Sequence, residues 1–96
     1  MAKYYTMYDV TEMKPKNGKS FTYDEMRAFV GGMVEIVPLP NGQSIIVNEE
    51  GKLNGLPKNE LATDFWKKQY PIEKYPDNND ELIVGPALVV DESEIE

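Results

Sequence analysis

The spacing of apolar and polar positions divides this chain into short elements of alternating type. Residues 4–8 (Y-Y-T-M-Y) are aromatic and Thr-containing and read as a strand, and residues 10–14 read as a second short strand folding back on it. Pro15 and Asn17-Gly18 then mark a loop. Thr22 and Glu25 stand in capping-box spacing, with Phe21 and Met26 placed to form a hydrophobic staple. Met26, Phe29 and Val30 continue one apolar helical face, and Gly31-Gly32 stops the helix. Residues 33–39 are dense in Val and Ile and predict a strand, Pro40-Asn41-Gly42 a hairpin turn, and residues 44–47 the returning strand.

Residues 48–52 (N-E-E-G-K) form a charged turn, followed by an irregular connection with Leu53 and Leu56 as its apolar anchors. Asn59 is a good N-cap for a second helix over 60–69, where Leu61 with Phe65 and Ala62 with Trp66 make i, i+4 pairs. Acidic residues near the start of this helix and Lys67 and Lys68 near its end suit the helix dipole. Pro71 ends it, residues 70–80 are a Pro-, Asn- and Asp-rich loop, and residues 82–90 read as a final strand. Pro38 and Pro86 each imply an edge or a bulge in their strand.

These elements predict an α+β fold: a mainly antiparallel four- to five-stranded sheet with two helices packed on one face, in the order β(β)-α-β-β-α-β. A ferredoxin-like split arrangement is compatible with that order. The chain of 96 residues makes one domain, read as residues 1–90, with an acidic, disordered tail over 91–96.

Charge narrows the function classes. Ten basic residues face seventeen acidic ones, for a net charge of −7. Asp91, Glu92, Glu94 and Glu96 carry four of those negatives, which leaves about −3 for the rest. This balance disfavours direct nucleic-acid binding, which needs a cationic face. Lys14, Lys16 and Lys19 form the one basic cluster and read as a solvated loop. No apolar run approaches the roughly 20 residues that span a bilayer, and there is no cysteine, so the expectation is a cytoplasmic protein without membrane contact.

Six stretches in this order resemble a family of small, uncharacterised domains from phages, plasmids and gut bacteria. They are P-K-N-G-K at 15–19, F-T-x-x-E at 21–25, V-G-G-M-V-E at 30–35, V-N-E-E-G-K-L at 47–53, G-L-P-x-N-x-x-A-T at 55–63 and I-V-G-P at 83–86. The resemblance implies a mobile-element origin and a cytoplasmic role, but no activity, because the family has none established.

The residue types argue against catalysis. Without histidine or cysteine the usual general base and nucleophile–base pairs are missing, and Ser20, Ser44 and Ser93 have no partner in sequence. Glu35, Glu49 and Glu50 are the carboxylates available near the hairpin. Asp77, Asn78, Asn79, Asp80 and Glu81 offer oxygen ligands without calcium-loop spacing, so no metal and no cofactor is expected. Glu35, inside an apolar run, either faces solvent or is buried with Lys52 or Arg27.

Six tyrosines exceed what so small a core can bury with satisfied hydroxyls, so some must be exposed, as at protein interfaces. Tyr70 and Tyr75, bracketing the long loop, are the first candidates, with Glu35, Glu49 and Glu50 beside them as binding residues. The expected function is a non-catalytic accessory factor of a phage or mobile element that binds a host or phage protein. The alternatives are an acidic DNA-mimic inhibitor and a small carboxylate- or metal-dependent module. If residues 33–39 or 82–90 lie at a sheet edge, two copies can pair, which leaves monomer and homodimer both open.

Overall fold

The computed structural model describes residues 2–69 and 82–95. In it the elements run β1 (Ala2–Tyr5), β2 (Val10–Met13), α1 (Tyr23–Val30), β3 (Val34–Pro38), β4 (Gln43–Asn48), α2 (Glu60–Gln69) and β5 (Ala87–Asp91), followed by a short 3-10 turn, Glu92–Glu94. All five strands join one antiparallel sheet in the order β2-β1-β5-β4-β3. The α+β class, the element order and the two helices are those the sequence predicts.

The helices are where the expectation fails: they lie on opposite faces. Ile45 and Val47 of β4 and Ala87 and Val89 of β5 pack with Ala62 and Trp66 of α2. The intervening residues, Ile46, Leu88 and Val90, pack with Met26 and Val30 of α1. Successive strand residues point to opposite faces, so two separate cores require a helix above and a helix below the sheet. A central strand covered on both sides reads as a continuous apolar run, as I-I-V of β4 and A-L-V-V of β5 do. The same reasoning corrects the edge expectation: β5 is central, between β1 and β4, whereas β3 is an edge strand. Pro86 lies outside β5, so it costs the ladder no donor.

The start of α1 follows its sequence signature. The Glu25 amide donates to Thr22 Oγ1 at 3.1 Å and the Thr22 amide donates to Glu25 Oε1 at 3.0 Å. The second Glu25 oxygen accepts the Lys16 amide at 3.1 Å, which fastens the lysine-bearing loop to the helix. Phe21 and Met26, the staple pair, are both buried in the α1-side core. Gly31 closes the helix in the left-handed conformation, φ 77°.

The acidic C-terminal stretch is tied to the body of the domain through Ile95. The Phe21 amide donates to the Glu94 carbonyl at 2.6 Å, Glu94 Oε1 accepts the Asp91 amide at 3.0 Å, and Ile95 packs on the α1-side core. One apolar side chain and a fixed acceptor anchor a segment whose composition alone suggests solvent.

Candidate functional site

Several residues of the six sequence stretches hold the scaffold together. Asn59 is fully buried, and its Nδ2 donates to the carbonyls of Tyr5 and Gly85 at 3.0 and 2.9 Å. Its Oδ1 accepts the Ala62 amide at 3.0 Å, so one side chain caps α2 and ties it to β1 and to residues 83–86. Thr63 adds to the same knot: the Ile83 amide donates to its Oγ1 at 2.9 Å, and its hydroxyl donates to the Ile83 carbonyl at 3.3 Å. Gly85, at φ 72°, leaves room for Leu56, whose Cδ1 would lie 2.7 Å from a Cβ there. Buried Asn48 bridges the end of α1 and the charged turn: its Nδ2 donates to the Val30 carbonyl at 3.2 Å and its Oδ1 accepts the Glu50 amide at 2.9 Å.

What this framework leaves open is a hollow of about 210 Å³ on the α2 side of the sheet, next to β3. Val47, Trp66 and Ile83, all buried, form its inner wall, with Val37 and Val84 beside them. Leu53, Leu82, Glu35, Glu49 and Lys52 surround its mouth. Leu53 is 88% exposed and Leu82 38%. Leu53 is therefore not the apolar anchor the sequence suggested; Leu56 alone tucks inward, against Gly85. The charged turn sets the mouth's shape, because the Glu49 amide donates to the Met33 carbonyl at 2.8 Å and holds the turn against the end of the hairpin.

The predicted site residues separate. Glu35 and Glu49 both reach the mouth, and Glu35 is exposed, not buried in a pair. Glu50 is exposed but does not line the hollow. Tyr70 and Tyr75, and the oxygen-rich run 77–81, lie outside the described residues. Among the described tyrosines, Tyr4 donates its hydroxyl to the Phe29 carbonyl at 3.0 Å and Tyr5 is buried beside Phe65, and burial raises the pKa of both phenols. Tyr8, 91% exposed at the β1–β2 tip, and Tyr23 on α1 are the open ones.

Sequence reasoning missed Lys52, Leu53, Trp66 and Leu82 as site residues, because they come from three separate segments that only the fold brings together. Among the described residues, no group of three or more Asp or Glu side chains is close enough to hold a metal ion, and no helix is long and apolar enough to cross a membrane.

A family model for a domain of unknown function, DUF3846, matches residues 6–96. The chain belongs to that family. No curated protein and no solved structure gives a significant match to this DUF3846 domain.

Proposed function

We propose that this DUF3846 domain is a non-catalytic protein-binding module, an accessory factor of a phage or mobile element, and that the hollow beside β3 is its contact site. The observation that carries this reading is a pair of exposed leucines beside an apolar wall: Leu53 and Leu82 at the mouth, Trp66 and Ile83 within. Exposed apolar surface rimmed by charge is the usual character of a protein contact. A hollow of about 210 Å³ is also smaller than the roughly 300–1,000 Å³ of small-molecule sites, and suits one or two side chains of a partner. The acidic DNA-mimic alternative draws less support, because carboxylates sit on both helices, which cover opposite faces, and on the turns. A phosphate-like array would place them along one face.

The test is parallel capture from host lysate by the wild type and by Leu53→Asp. The side chain is nearly free of contacts, so the substitution shifts stability by less than about 0.5 kcal/mol. The expected result is a partner that survives high salt on the wild type and is lost from the variant. A partner retained equally by both refutes the site.

A further inference from the structure

The geometry points to an extended, basic segment of a partner protein as the occupant, added to β3 as a sixth strand with an apolar side chain in the Trp66 hollow. This rests on the protein-binding reading above and specifies its mode.

The first support is position. β3 ends the sheet, and among the described residues no strand pairs on its outer side between Val34 and Val37. Its register fixes which side chains an added strand meets. Glu35 lies opposite Val47 and Val37 opposite Ile45, so both project to the α2 side, where they line the hollow. Ile36, opposite Ile46, projects to the α1 side and is 44% exposed. A strand laid beside β3 therefore sends every second side chain over the hollow and the alternate ones onto Ile36. Main-chain bonds then supply affinity and the hollow supplies selectivity, as in strand addition generally. At the other edge, β2, Val10, Thr11 and Glu12 are exposed, and the hollow near its end is lined by Tyr4, Phe29, Lys14 and Lys16, with lysines where the β3 hollow has Glu35 and Glu49.

The second support is charge. Glu35 and Glu49 flank the mouth with one cation among the described residues, Lys52, so the charged rim is net negative, and the chain as a whole carries −7. A Lys or Arg two residues from the apolar anchor projects on the same face and reaches these carboxylates. A second copy of this chain fits poorly: its β3, V-E-I-V-P, would bring another Glu35 and no basic residue to the same mouth.

The experiment selects binders to the full chain from a bead-bound library of random ten-residue peptides, then scans the best one by backbone N-methylation. The expected sequences pair an apolar residue with Lys or Arg at i±2. N-methylation at alternate positions is expected to weaken binding about tenfold each, with the positions between them tolerant. Glu35→Lys with Glu49→Lys is expected to abolish the preference for basic residues, and Leu53→Asp to weaken every selected peptide. A flat N-methylation profile with Leu53→Asp still damaging overturns strand addition and spares the contact site. Indifference to Leu53→Asp, or the absence of any binder, overturns both. Acidic selected peptides, or a dimer in sedimentation that Glu35→Lys strengthens, overturn the basic partner.

Discussion

A few side chains of this domain each serve several segments. Asn59 is the clearest: substitution by Ala leaves two buried carbonyls and the Ala62 amide without their partner at once. The expected cost is about 3 kcal/mol, a fall in Tm of about 12–24 °C for a chain of this size, read by thermal unfolding. Glu25 makes a different prediction. The backbone bond from Thr22, then that from Lys16, holds its carboxyl below its ordinary value of 4.5. A depressed pKa in the folded state contributes stability that is present above the unfolded pKa and is lost as pH falls through the folded one. The stability difference between wild type and Glu25→Gln should therefore be largest above pH 4.5 and vanish on acidification, as followed by denaturant unfolding across that range. A difference that stays constant with pH would show that the carboxylate charge is not what matters.

At the scale of elements, local signals were legible and non-local ones were not. The capping box, the staple, the glycine stop of α1 and the Asn41-Gly42 turn each act within a few residues, so their types announce them. The place of β5 depends on β1 and β4, which are far away in sequence, and the apolar runs that mark both central strands carry no sign of which neighbour covers each face. At residues 91–95 the acidic composition gives no sign of the two contacts that tie the stretch down, the Glu94 carbonyl on the Phe21 amide and Ile95 on the α1-side core. Truncation after Asp91 removes the acceptor of the Phe21 amide and uncovers part of the α1-side core. It is expected to destabilise by about 2 kcal/mol; a disordered tail could be removed without effect, and chemical denaturation separates the two.

On the scale of the whole molecule, the three layers explain why the site could not be read from the sequence. The hollow is assembled from β3, β4, the turn after β4, α2 and the segment before β5, and no local pattern links them. Trp66 illustrates the point, since an i, i+4 partner of Ala62 reads as core, and it is core on one side and wall of the hollow on the other. It is also the chain's one tryptophan, so partner binding is expected to shift its emission to shorter wavelength while Leu53→Asp suppresses that shift. The central claim, that protein contact occurs at β3 and the adjoining hollow, is tested most directly by amide hydrogen exchange of the full chain with and without its captured partner. New protection is expected at residues 34–37 and 49–53. Protection confined to the β1–β2 tip around Tyr8 or to α1, with β3 unchanged, would contradict it.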